Sequence, residues 1–256
     1  MSETLLEAPG DGVALIRLNR PQVRNALNQT VREQLAEHFA ALATDPAVRC
    51  IVITGDERAF AAGADIRDMA ERGAVEMYLR SNHRLWGVIA ACPKPVIAAV
   101  NGFAWGGGCE LAMHADLIIA GEGASFAQPE IRVGIMPGAG GTQRLTRAVG
   151  KFQALRMLLT GAPVAAREAL AMGLASEVVA DAEVLPRALE LASNIAAMPP
   201  LAVQQIKEVV LAGQDASLDT ALLLERKAFQ LLFDSRDQKE GMRAFLDKRA
   251  PHYQGC

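Results

Sequence analysis

Over roughly the first 180 positions, short apolar runs alternate with stretches whose apolar residues recur at helical spacing. "VALIRL" (13–18), "CIVITG" (50–55), "PVIAAV" (95–100), "DLIIAG" (116–121) and "SEVVA" (176–180) read as strands. "NALNQTVREQLAEHFAALATD" (25–45) carries an amphipathic helical pattern, and a second helical stretch runs through "YLRSNHRLWGVIAA". Strands separated by helices call for an α/β sheet with parallel crossovers. From about residue 185 the strand signals stop. Helical patterns follow at 184–197, 200–212, 217–233 and 237–248, with "MPP" at 198–200 breaking the first two. This divides the chain into an α/β core, 1–195, and a C-terminal helical region, 196–256.

Composition narrows the picture. Hydrophobic residues make up 51% of the 256 positions, enough for a substantial core. A formal net charge of −3 supplies no global basic field, which speaks against nucleic acid and anionic membrane as partners. The four cysteines, Cys50, Cys92, Cys109 and Cys256, form no CxxC pair and do not group with His38, His83, His114 or His252. Reduced buried thiols are expected, with neither a metal site nor a disulfide framework. The first ten residues lack a basic region followed by an apolar run, and no 18-residue uncharged apolar stretch occurs. The expectation is a soluble cytoplasmic protein.

Two glycine-rich segments remain to be explained. "NGFAWGGGCEL" (101–111) and "PGAGGTQ" (137–143) both lack the GxGxxG spacing of a dinucleotide loop, and neither leads into the Gly-Lys-Ser/Thr of a phosphate loop. No GxSxG nucleophile motif is present. Glycines that open a helix near Gly107 would let a ligand approach free N–H groups at the positive end of the helix dipole. Such donors suit an oxygen that gains negative charge during a reaction; tight packing of helix on sheet would use the same glycines. Glu110 falls in the first turn of that helix. Glu130 follows Pro129 and precedes the mostly apolar "IRVGIMPGAGG". Singly, each could be a capping or salt-bridged acid. Together, beside glycine turns, they favour a pair of carboxyl groups with raised pKa, suited to acid/base work near neutral pH.

These segments also carry a resemblance. "ERAFAAGADI" (57–66), the block from "NGFAWGGGCELAMHAD" to "GIMPGAGGTQRLTRAVGK" (101–151) and "DQKEGMRAFLDKR" (237–249) resemble the enoyl-CoA hydratase (crotonase) family, and the likeness extends from "IRLNRPQVRNALN" (16–28) to the last helix. The resemblance implies a crotonase-like spiral of ββα turns with a C-terminal helical trimerisation region, assembled as a homo-trimer or a dimer of trimers. It implies an acyl-CoA thioester as substrate, with no separate cofactor and no metal. The thioester oxygen would lie between the N–H groups of Ala64 and Gly107, Glu110 and Glu130 would handle the water, and the N–H of Gly138 would help to place it. CoA would meet Arg24, Ala26, Arg58, Ala62, Asp65, Ile66 and Arg67, with Phe245 and Lys248 reaching it from a neighbouring subunit.

Isomerases of the family commonly lack one of the two acids. Both are present here, so a hydratase is expected ahead of an isomerase or of a non-catalytic CoA- or RNA-binding relative. Within the family, "GIMPGAGGTQRL", the surroundings of Trp86 and "KPVIAAVNG" resemble bacterial 2,3-dehydroadipyl-CoA hydratases. That substrate ends in a carboxylate, so Arg72, Arg80, His83 and Arg84 become candidate cations beside the acyl tunnel, unless they are ordinary charges on an exposed helix. Asp68 and Glu71 could add acids near the pocket, though the plainer reading is a helix surface. Trp105 and Trp86 read equally as tunnel walls or as core.

Overall fold

The structure is a computed structural model that describes residues 2–256. Strands β1 (Thr4–Gly10) and β2 (Val13–Leu18) form an antiparallel hairpin, and helix α1 (Gln29–Thr44) carries the chain across to β3 (Cys50–Thr54). From there the chain repeats itself. β3, β5 (Val96–Val100), β7 (Leu117–Gly121) and β10 (Glu177–Val179) line up in parallel in a six-stranded sheet of order β1-β2-β3-β5-β7-β10. Between them β4 (Ala59–Ala61), β6 (Phe103–Trp105) and β8 (Ser125–Ala127) line up in parallel in a second sheet, closed by β9 (Val164–Ala165). Each turn therefore lays one strand on each sheet and then moves away through a helix: α2 (Ala74–Leu79) and α3 (Asn82–Ala90), then α4 (Gly107–Ala112), then α5 (Gly141–Thr160) and α6 (Ala166–Ala171). This is the expected spiral of ββα turns.

The long strands are buried along nearly their whole length, as parallel strands covered on both faces must be. One face packs against Leu35, Phe39, Phe60 and Phe126, the other against Ala188, Ala192 and Ala196 of α7 (Val184–Ala196). Helices α8 (Pro200–Gly213), α9 (Leu218–Leu232) and α10 (Arg236–Leu246) complete the chain. Among the described residues no helix is long and apolar enough to cross a membrane.

Two expectations need correction. Helix α1 starts at Gln29, not at residue 25, because Asn28 caps it, accepting from the Val31 N–H at 2.9 Å, while Arg24 and Asn25 are left-handed with φ of 51° and 56°. All four cysteines are free, but only Cys50, Cys92 and Cys109 are buried, and Cys256 is exposed near the chain end. Burial pushes the Cys50 thiol up to about 12 and Cys109 higher still, so both are inert at neutral pH.

Candidate active site

The small sheet delivers the site. Its three parallel strands end side by side, and each leads directly into one of the segments singled out above: 62–68 after β4, α4 after β6, and a 3-10 turn Pro129–Val133 after β8.

Ala64 and Gly107 are neighbours, since a Cβ built on Gly107 would lie 3.5 Å from the Ala64 nitrogen. Leu27 pins this corner: its N–H donates to the Gly63 carbonyl at 2.8 Å and its own carbonyl accepts from Asp65 at 3.1 Å. The ladder thus consumes the groups on either side of Ala64. Among the described residues neither the Ala64 N–H nor the Gly107 N–H donates to a protein acceptor. Two free donors side by side, one at a helix start, are the kind of group that can stabilise an oxygen gaining negative charge.

The two carboxyl groups stand in unlike surroundings. Glu110 is 3% exposed, and its Oε1 accepts from the N–H groups of Ala139 and Gly141 at 2.7 and 2.8 Å. Burial raises its pKa; those two N–H groups and the charge of Arg32 pull it back. Glu130 is half-buried, and its Oε2 is a buried atom with no hydrogen-bond partner. Burial, reinforced by the nearby charge of Glu110, lifts its pKa to about 7. One acid is thus anchored by two N–H donors in a buried seat that raises its pKa, while the other is poised to exchange a proton at neutral pH. His114 supports the anchored one: its Nδ1 meets the Glu110 carbonyl oxygen at 2.8 Å, and its ring stacks on Trp86 of α3, centroids 5.1 Å apart. Burial lowers the His114 pKa to about 4, so the ring is neutral. A cavity of about 630 Å³ opens on the far side of His114, toward α8, and neither glutamate lines it.

The other expected residues distribute unevenly. Gly138 stands at the exposed crest of the 137–141 loop, whose neighbouring Ala139 and Gly141 hold Glu110. Arg24 and Ala62 are joined directly, the Ala62 N–H donating to the Arg24 carbonyl at 2.9 Å, and the Arg24 guanidinium lies over the Phe103 ring. Ala26 and Asp65 are joined through Arg20, whose guanidinium donates to the Ala26 carbonyl and pairs with Asp65 at 3.3 Å. Arg58, Ile66 and Arg67 are exposed around the same rim. Phe245, 82% exposed, and Lys248 stand at the end of α10, whose hydrogen bonds within this chain go to its own C-terminal tail, Asp237 accepting from Gln254 and Gly255.

The candidate tunnel cations resolve differently. Arg80 makes a two-pronged pair with Asp68, both contacts at 2.8 Å, and Arg72 reaches Asp68 and Glu76 at 3.6 and 3.5 Å. His83 and Arg84 are exposed. Asp68, expected as a surface acid, is instead the hub of this cluster, and Arg80 holds its carboxyl below the usual range. Arg20, Arg32, Ala139 and Gly141 are the residues that sequence reasoning missed. Only Arg32 left a trace in the sequence: it interrupts the apolar stripe of α1 between Val31 and Leu35.

Comparison with known proteins fits this arrangement. A profile of the enoyl-CoA hydratase/isomerase family matches residues 9–256. The chain is similar to the 2,3-dehydroadipyl-CoA hydratase of Escherichia coli K12, 46% identical with the whole of both chains covered, and to a probable enoyl-CoA hydratase of Rhizobium meliloti 1021, 49% identical over 98% of each. An enoyl-CoA hydratase subunit I of Geobacillus kaustophilus HTA426 superposes with a TM-score of 0.96 at 43% identity, covering 99% of this chain and 98% of that one.

Proposed function

The chain belongs to the enoyl-CoA hydratase/isomerase family, and we propose that within it this protein is a hydratase, adding water across the 2,3 double bond of a 2-enoyl-CoA to give a 3-hydroxyacyl-CoA. The observation that carries this reading is the placement of two carboxyl groups of opposed character, one anchored and one with a pKa of about 7, beside two free N–H donors.

The thioester oxygen is taken by Ala64 and Gly107. As water attacks C3, charge gathers on that oxygen, and donors already in place stabilise it without reorganising; losing one such donor typically costs roughly 10²–10³ in rate. Glu110, fixed by the 137–141 loop, orients the water and accepts one of its protons. Glu130, carrying a proton, supplies one to C2. The water oxygen bonds to C3, the pair begins and ends the cycle with a single shared proton, and no electron is transferred. Each acid/base role is worth roughly 10²–10⁴. CoA rests on the rim formed by Arg24, Arg58 and Arg67, beside the backbone of Ala26, Ala62, Asp65 and Ile66, where Arg20 ties the Ala26 carbonyl to Asp65 and Ala62 is bound to Arg24. Gly138, beside the anchored carboxyl, would meet the water. A homo-oligomer in which a neighbour's Phe245 and Lys248 complete the CoA site is consistent with the exposure of Phe245.

The test is loss of enoyl-thioester absorbance with crotonyl-CoA and with 2,3-dehydroadipyl-CoA, for the wild type and for Glu130→Gln. Hydration by the wild type and its loss in the variant, with CoA binding retained, is the expected result. Equal rates in the two proteins would sink the mechanism.

A further inference from the structure

The cavity of about 630 Å³ behind His114 takes no part in the reaction proposed above, since neither Glu110 nor Glu130 lines it. It lies between α8 and the end of α4, with α5 contributing Arg144, Arg147 and Ala148. Its walls are mostly aliphatic, among them Met113, Ile118, Leu174, Val203, Ile206 and Leu211. Its size is that of a pocket that buries a small molecule. Ile206 and Leu211 of α8 are 64% and 43% exposed, so the apolar lining can be reached from solvent.

The charges around this cavity are of two kinds. Lys207 is paired with Asp116 at 2.7 Å, and Arg147 with Asp215 at 2.9 Å. Arg144 is different: it lines the cavity, half-buried, and among the described residues no carboxylate pairs with it. A guanidinium does not escape burial by losing its proton. An aliphatic cavity with one uncompensated cation in its wall is complementary to an aliphatic chain that ends in an anion. A planar carboxylate suits best, because it matches the guanidinium fork in a two-pronged, charge-assisted pair.

The same walls touch what holds Glu110. His114 donates from Nδ1 to the Glu110 carbonyl at 2.8 Å. The Arg144 side chain folds back over the 137–141 loop, its Nε 3.3 Å from where a Gly140 Cβ would be, and the Gly141 N–H next in the chain anchors the Glu110 carboxyl. A ligand that draws Arg144 to its own carboxylate therefore acts on that loop.

We propose that this cavity is a second binding site, for a medium-chain aliphatic carboxylate held by Arg144, and that its occupation lowers turnover by disturbing the seat of Glu110. The site stands apart from the hydratase reading, and only its effect on turnover rests on that reading.

The test is calorimetric titration of the whole protein with decanoate, decanol and decyltrimethylammonium, each below its micelle concentration, repeated with Arg144→Met and Ile206→Glu. One decanoate per chain is expected, with the other two head groups about tenfold weaker or worse and a similar loss in both variants. Octanoate, with two fewer methylenes to bury, should bind roughly tenfold more weakly than decanoate. Equal affinity for the three head groups, or decanoate binding untouched by Arg144→Met, would overturn the site. Should Arg144→Met not fold, Ile206→Glu decides the matter, since its position is exposed and its carboxylate would repel the ligand. With crotonyl-CoA as substrate, saturating decanoate is expected to lower kcat about fivefold or more at unchanged KM. A rise in KM at unchanged kcat would put decanoate in the thioester site and overturn the proposal, and no change in either would overturn the effect on turnover. A wild type inactive on crotonyl-CoA would remove the hydratase reading, and the calorimetric arms would still decide the site.

Discussion

Gly106 and Glu130 are in contact: a Cβ added to Gly106 would stand 2.7 Å from Glu130 Oε1. Gly106 is also left-handed, with φ of 50° and ψ of −125°, in the step from β6 to α4. One missing side chain thus serves both the turn that presents the Gly107 N–H and the seat of the Glu130 carboxyl. Gly106→Ala is expected to lower kcat by about 10²-fold or more while the protein still folds, since both the oxyanion donor and Glu130 must shift. Near-wild-type kcat in a folded Gly106→Ala protein would show that this contact does not fix Glu130.

The raised pKa of Glu130 fixes the sign of two pH effects. Its folded value is about 7 against an ordinary 4.5, so between those limits the folded protein holds more protons than the unfolded one, and stability falls as pH rises. Glu130→Gln abolishes that penalty. It should melt higher than the wild type at pH 8, by on the order of 1–2 kcal/mol after allowing for partial exposure, and show little or no such advantage at pH 4. Hydration by the wild type should in turn decline through about pH 7 as the donor proton is lost, and a flat pH–rate profile to pH 9 would contradict the assignment of Glu130 as donor.

Two glycines of the signature segments should behave oppositely. A Cβ on Gly108 would lie 2.0 Å from the Ala61 carbonyl oxygen, because α4 packs directly on β4. Around Gly138 nothing lies within 4 Å. Gly108→Ala is expected to cost several kcal/mol or to prevent folding, whereas Gly138→Ala, which keeps its N–H, should stay within about 0.5 kcal/mol of wild type in denaturant melts and retain activity. Comparable losses in the two would mean that the backbone spacing at Gly108 relaxes.

The charge of Arg80 is spent on Asp68. Arg80→Ala should leave the ratio of kcat/KM between dehydroadipyl-CoA and crotonyl-CoA unchanged within about threefold, although it frees Asp68 and loosens the 66–80 segment. A tenfold fall in that ratio would return Arg80 to the role of tunnel cation.

How far the sequence went follows from the range of each signal. β3, β5 and β7 were legible because four or five consecutive buried residues make an apolar run. β4, β6, β8 and β9 are two or three residues long, too short for any period, and β1 escaped because most of its residues are exposed. The glycines and glutamates of the site were legible because their chemistry is local to one turn. Ala139, Gly141 and Arg20 were not, since an alanine N–H that holds Glu110, or a rim arginine that joins Ala26 to Asp65, is defined only by what the fold brings to it. Arg72 and Arg80 misled for the same reason: charge is visible in a sequence, and its neutralisation by Asp68 is not.

The small sheet is also a ruler. Hydrogen-bonded neighbours in a sheet lie about 4.8 Å apart, and β4, β6 and β8 are successive rungs paired as Ala61 to Ala104 and Trp105 to Ala127. The spacing between Ala64, the Gly107–Glu110 turn and Glu130 is therefore inherited from the sheet rather than negotiated by flexible loops. A turn of the coil can trade its outer helix, or lengthen it, without moving the rung beneath. Lengthening a rung by one residue would instead rotate its whole contribution to the opposite face. Such a scaffold can diversify in what it binds while its reacting distances stay nearly constant.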